Sequence, residues 1–318
     1  MKYFKKHISV VFIVVFFQLG FAHNLTSSND TAKTGETKIS TDYKLVWQDN
    51  FDGKRLDLKN NWKIDVDGKG GGNKELQYYR KKNISLGKEP VTGASCLIIT
   101  AKKENFLSRK FTSGRISTQD KFSFKYGKIE ARIKLPKTEK GLWPAFWMLG
   151  KGFPKIEWPK CGEIDIMEMG HTNGLKKGAP DRYFGGACHW GEIWNKVPSY
   201  GKATISPYSL QDDFHLYTLI WDENSIKMYL DLDKNQAAEP YCSFAITGKD
   251  ENGSPAHYFN KQYFIIFNLA VGGYFTGITE NKDITALNNG DAHMYIDYIR
   301  VYQKGSKNEE FTFNSGNR

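Results

Sequence analysis

The 318-residue sequence is poor in cysteine and lacks the arrangements that most often mark a metal or nucleotide site. Cys96, Cys161, Cys188 and Cys242 lie far apart with no Cys-x-x-Cys pair, which argues against zinc and against a small disulfide-dense scaffold. Four cysteines allow three complete pairings, and their spacing does not choose between these and buried free thiols. There is no His-Glu-x-x-His, no phosphate-binding glycine loop and no Gly-x-Ser-x-Gly elbow. Gly70-Gly-Gly72 lacks the Gly-Lys-Ser/Thr ending that a phosphate loop requires. Long stretches of helical period are almost absent, and past the first 22 residues no apolar run approaches the roughly 20 residues of a membrane-spanning helix.

Basic charge is present but thin. The formal net charge is +10, and setting aside Lys2, Lys5 and Lys6 leaves +7 on the rest. Lys and Arg recur along the whole chain rather than in a block, so a solvated basic surface is expected and a nucleic-acid partner is not. Those three lysines, the apolar run Ile8 to Phe17 and the ending Gly20-Phe-Ala22 have the layout of a secretory signal peptide over residues 1–22, predicting a secreted or periplasmic protein with no membrane span once the signal is cleaved. Residues 23–40, rich in Asn, Thr, Ser, Lys and Gly, read as a flexible linker. One folded domain is expected over 41–304, followed by a loose polar tail over 305–318, in a protein that works as a monomer.

Within that domain, short alternating or apolar segments are punctuated by Gly, Asn, Asp and Pro. Strands are predicted at 96–101, 126–135, 214–221, 263–270 and 294–302. Ile129, Ala131, Ile133 and Leu135 alternate with Lys128, Glu130, Arg132 and Lys134, the mark of a sheet with one packed and one wet face. Trp221-Asp-Glu-Asn-Ser-Ile226 reads as a hairpin turn. Many antiparallel strands and few helices point to an all-β, two-sheet sandwich.

The segment Gly162-Glu-Ile-Asp-Ile-Met-Glu-Met-Gly170 carries the chemistry. On a regular strand Glu163 and Asp165 share a face and Glu168 has the wrong parity. All three can line one cleft only if an extra residue is absorbed at Ile166 or Met167, so a β-bulge is predicted there. Glycoside hydrolysis needs one ionised carboxylate and one protonated carboxyl around the scissile bond, and crowded carboxylates resist joint ionisation. Three acids in six residues would suit a solvated strand edge equally well, but apolar Ile164, Ile166, Met167 and Met169 make this a core strand. Trp143, Trp147, Trp158, Trp190 and Trp194 cluster around it in sequence and could offer flat faces to a pyranose ring, although about half are expected in the core. His189 is a candidate partner for an acid or a sugar hydroxyl.

Trp158-Pro-Lys-Cys-Gly-Glu-Ile-Asp-Ile-Met-Glu168 resembles the bulged Glu-x-Asp-x-x-Glu motif of glycoside hydrolase family sixteen, in particular its laminarinase-like members. Supporting blocks are 73–79, 113–118, 126–136, 141–147, 267–273 and 297–302, so the resemblance runs from about Leu45 to Tyr302. It implies a curved β-jelly-roll with a concave substrate cleft, a β-glucan substrate and no cofactor required for catalysis. It further implies Glu163 as nucleophile, Asp165 as assisting carboxylate, Glu168 as general acid/base, and Asn73, Arg115, Trp143, Trp147 and His189 as substrate-cleft residues. The reaction implied is retaining hydrolysis of 1,3-β-glucan, mixed-linkage 1,3-1,4-β-glucan or both, with a non-catalytic glucan-binding protein or a transglycosylase on the same fold as alternatives. Many members bind a structural calcium through the Asp that matches Asp297. Two departures stand out: Asn50 occupies a position that is often acidic, and Tyr274-Phe-Thr-Gly277 replaces a frequent Trp-Pro-Gly after the paired glycines.

Overall fold

A computed structural model describes residues 42–313. The expected signal peptide and linker lie outside them. Two antiparallel sheets pack face to face, with only short helices such as Thr172–Lys176 and Pro255–Tyr258 between strands. None of the helices among the described residues is long and apolar enough to cross a membrane.

The outer sheet contains Gly127–Lys134 between His215–Trp221 and Ala292–Gln303. Along Gly127–Lys134 buried and half-buried residues alternate without a break, as the sequence alternation requires. Ile129, Ala131 and Ile133 face the core, and Lys128, Glu130, Arg132 and Lys134 face outward. The hairpin expected at Trp221–Ile226 forms, with Trp221 and Ile226 paired and the Asp222 N–H donating to the Ser225 carbonyl at 3.0 Å. All five predicted strands are present, each within two residues of its expected ends.

The inner sheet runs in the order Ser199–Ile205, Tyr183–His189, Glu163–Met169, Leu142–Gly150, Tyr263–Val271, Arg115–Ser117 and Lys63–Ile64. Tyr263–Val271 is buried throughout because core lies under one face and a second apolar cluster over the other. Ile164, Ile166, Met167, Met169, Phe146 and Phe267 point into the main core, where each fully buried side chain of this size contributes roughly 1.5–3 kcal/mol. Leu149, Cys161, Phe264 and Ile266 form the second cluster, with Trp147, Phe153 and Trp158 against it.

All four cysteines are buried free thiols. The tail differs from expectation. Glu310–Phe313 forms a strand paired in register with Phe122–Lys125, and Phe313 lies 5.3 Å from Phe122 between ring centroids. Polar composition suggested a loose end, but alternate Phe311 and Phe313 gave the segment enough apolar surface to extend the sheet.

Candidate active site

The carboxylate strand Glu163–Met169 contains the bulge that parity demanded. Against Leu142–Gly150, Asp165 opposes Trp147 and Met167 opposes Phe146, leaving Ile166 without a partner. Against Tyr183–His189, the register slips between Asp165 and Glu168. Ile166 and Met167 therefore both enter the core, and Glu168 returns to the face that holds Glu163 and Asp165. The Ile166 carbonyl, displaced from the regular ladder, accepts a hydrogen bond from the Tyr241 hydroxyl. The strand is entered through Gly162 at φ +77°, where a Cβ would stand 2.0 Å from the Tyr263 hydroxyl, so only glycine fits there.

His189, opposite Glu163 on the next strand, brings Nε2 to 3.3 Å from Asp165 Oδ2 and 4.0 Å from Glu163 Oε1. Trp143 Nε1 donates to Glu168 Oε1 at 3.0 Å. Trp147 Nε1 donates to Asn268 Oδ1 at 2.6 Å, and the Arg115 guanidinium sits 4.8 Å from the Trp147 ring centroid. Arg115 Nε lies 2.9 Å from Asp65 Oδ2, an ion-pair distance without hydrogen-bond alignment. Asn73 is anchored through its backbone, donating to Gly70 O and accepting from Tyr274 N–H, which places it in the loop beside Gly272 and Gly273. The structure thus joins His189 and Trp143 directly to the carboxylates, holds Arg115 and Trp147 together on the same face, and puts Asn73 in a bordering loop.

Burial dominates the proton affinities. Glu163 is pushed up to about 8 by burial and then by Asp165, with His189 and Arg115 opposing the rise. Glu168 is pushed up to about 8 by burial and by Asp165, with His189 and the Trp143 N–H opposing. Asp165 is pushed up to about 8 by burial alone. His189, the nearest basic side chain, stands closest to Asp165 and next to Glu163, and Arg115 adds its charge at Glu163.

Several residues escaped sequence reasoning. Asn268, the one polar side chain in the buried run 263–271, fixes the Trp147 indole and donates to the Tyr79 hydroxyl at 3.3 Å. Its polarity within an apolar strand was a usable signal. Phe275 stacks on Trp143, and Asp65 pairs with Arg115; neither is marked by local pattern.

Asp297, expected as a calcium ligand, is ion-paired with Arg132. Its carboxylate takes the Arg132 guanidinium at 2.6 Å, and Asn50, at the position that is often acidic, accepts from Arg300 at 3.4 Å. Arg132 thus supplies positive charge beside the Asp297 carboxylate. Glu163, Asp165 and His189 are the one group of three or more His, Cys, Asp or Glu side chains, among the described residues, whose donor atoms lie within 4.8 Å of one another.

Residues 78–241 match the family model described as glycosyl hydrolases family 16. A beta-glucanase of Rhodothermus marinus is 34% identical over 263 residues, covering 82% of this chain and 85% of that protein. The alpha subunit of clotting factor G from Tachypleus tridentatus is also 34% identical and covers 83% of this chain, which spans only 34% of that longer protein. Among solved structures, the GH16 enzyme of the Bacteroides ovatus mixed linkage glucan locus, in complex with a G4G4G3G product, aligns with a TM-score of 0.70 at 39% identity, covering 80% of this chain and 99% of that one. With its bulged carboxylate strand and the length of these matches, the chain belongs to glycosyl hydrolases family 16.

Proposed function

We propose that the protein is a retaining endo-β-glucanase that hydrolyses 1,3-β-glucan, mixed-linkage 1,3-1,4-β-glucan or both by double displacement. Glu168 protonates the leaving glycosidic oxygen as Glu163 attacks the anomeric carbon; Glu168 then takes a proton from water, which releases the sugar from Glu163. Asp165, held by His189, lies between them in sequence and shares its proton with the neighbouring carboxylate so that Glu163 can carry the charge. The observation that carries this reading is the bulge at Ile166, because it alone returns Glu168 to the face of Glu163.

The glucan assignment is supported by the R. marinus beta-glucanase and by the mixed-linkage product in the B. ovatus complex. The N-terminal pattern of residues 1–22 supports export to the periplasm or medium, and we take the working form to be a monomer.

Glu163→Gln should keep its melting transition and lose reducing-sugar release from laminarin and barley β-glucan by at least about 10³-fold. Activity near that of the parent enzyme would sink the assignment of Glu163. Proton NMR of the first products should show the β-anomer before mutarotation; an initial α-anomer would exclude double displacement.

A further inference from the structure

The loop that departs from the common Trp-Pro-Gly pattern folds back onto the acid/base side of the site. The Phe275 ring lies 4.6 Å from the Trp143 ring with only 8° between their planes, and the His171 ring stands 4.8 Å from the Phe275 ring at 85°. Trp143 in turn donates its Nε1–H to Glu168. Phe275 is also fixed through its backbone: its carbonyl accepts from Thr172 N–H at 3.2 Å. The flanking loop is closed by Gly273 N–H to Ile278 O at 2.7 Å, Tyr274 N–H to Asn73 O at 2.8 Å, and Gly277 N–H to Tyr274 O at 3.1 Å. A loop sewn down at both ends thus delivers one ring onto one indole.

We propose that Phe275 is a positioning residue for Glu168, acting through Trp143. Its stacked ring restricts the indole to the orientation from which Nε1–H meets the carboxyl, so the acid/base group is aimed by a side chain that does not touch it through a polar atom. This rests on the assignment of Glu168 as general acid/base. Phe275 and His171 wall a small pocket of about 40 Å³ against Glu168, together with Tyr183, Lys202 and the small residues Gly185 and Gly186. Neither Glu163 nor Asp165 lines that pocket, so Glu168 is the one acid of the three that Phe275 borders there.

The proton affinity of Glu168 offers a readout that a purely structural role would leave unmoved. Burial raises it most and Asp165 next, while His189 and the Trp143 N–H lower it; His171 and Lys202 border the same pocket. Freeing the indole removes a donor that favours the ionised carboxylate, so the proton is held more tightly. A general acid works only while protonated, so the alkaline limb of the rate profile should move to higher pH.

The test compares Phe275→Ala, Phe275→Tyr, Trp143→Phe and the double variant Phe275→Ala/Trp143→Phe on barley β-glucan and on an aryl β-glucoside oligomer whose phenolate leaves without protonation. Phe275→Ala should lower kcat about tenfold on glucan, part of the ~10²–10⁴ that a general acid supplies, and shift the alkaline limb upward. Phe275→Tyr should restore both, and the deficit should shrink on the aryl substrate. Trp143→Phe should reproduce the shift, with the double variant no worse than the poorer single one. A Phe275→Ala enzyme that changes only KM, with the parent pH profile, would overturn the proposal. Should Phe275→Ala fail to fold, the pH limb of Trp143→Phe decides in the same way. Glu168→Gln separates the two levels: if it stays active, the acid assignment fails; if it is inactive while Phe275→Ala is unaltered, only the positioning role fails.

Discussion

Acids on the two sides of this molecule behave in opposite ways. On the outer sheet and its loops, each buried acid meets partners that stabilise its charge. Burial pushes the Glu89 carboxyl up, but the Thr92 N–H, the Lys134 ammonium at 3.0 Å and the Thr92 hydroxyl outweigh it and hold Glu89 at about 2. Asp231, likewise pushed up by burial, is brought to about 2 by His215 at 2.8 Å, the Leu216 N–H and the Tyr208 hydroxyl. On the inner face, Glu163, Asp165 and Glu168 crowd one another with only His189, Arg115 and one indole N–H in opposition, and all three rise to about 8. Burial is common to both regions. What differs is whether the fold supplies compensating donors, and the site withholds them.

The sharpest way to break the contrast is to remove the bulge. Deleting Ile166, the unpaired residue, sets Asp165 and Glu168 two positions apart, so that a regular strand carries all three acids on one face with no bulge. Hydrolysis should survive at a reduced level, and stability should drop by several kcal/mol from the lost core side chain, read by urea denaturation. A folded deletion variant with no hydrolysis would mean that strand parity alone does not place the carboxylates.

Next in size is a pair of amide substitutions with opposite signs. A carboxyl whose folded pKa is raised contributes stability below its unfolded pKa, near 4, and loses it as pH rises toward 8. Glu168→Gln should therefore raise Tm at pH 7 by roughly 2–4 °C while abolishing activity, with the gain gone below pH 4. Glu89 is the reverse: its stabilisation is full above about pH 4.5 and fades as pH falls toward 2. Glu89→Gln should lower Tm at pH 7 by about 2–6 °C and leave the chemistry intact, with the difference shrinking in acid. Equal signs for the two variants would dissolve the comparison.

The smallest effect concerns the outer surface. Asp297→Asn should cost no more than about 1 kcal/mol, as expected for a partly exposed pair with Arg132, with glucan hydrolysis unchanged. Chelator and added calcium should shift Tm of the parent enzyme equally little. A calcium-dependent rise of several degrees would show that Arg132 yields its place to a cation.

Much of this was legible in the chain. Alternation at 128–135 and the turn at 222–225 fixed strands and a hairpin because side-chain period and turn chemistry are local. Trp143, Trp147 and His189 were found by matching motif blocks, and the structure supplied what each one touches. The strand at Glu310–Phe313 was missed because two exposed phenylalanines in a polar segment carry little periodic signal. The pairing of Asp297 with Arg132, 165 positions away, was not legible, because the two are neighbours only once two strands pair.

The sequence by itself determined the carboxylate segment, the parity conflict within it and the need for a bulge, since strand geometry follows from consecutive residues. Tertiary structure alone decided that Ile166 is the residue left unpaired, that Phe275 reaches Glu168 through Trp143, and that the three acids hold their protons so tightly. Those depend on what stands across the cleft, and proton affinity in a low-dielectric site is set by neighbours in space rather than neighbours in the chain.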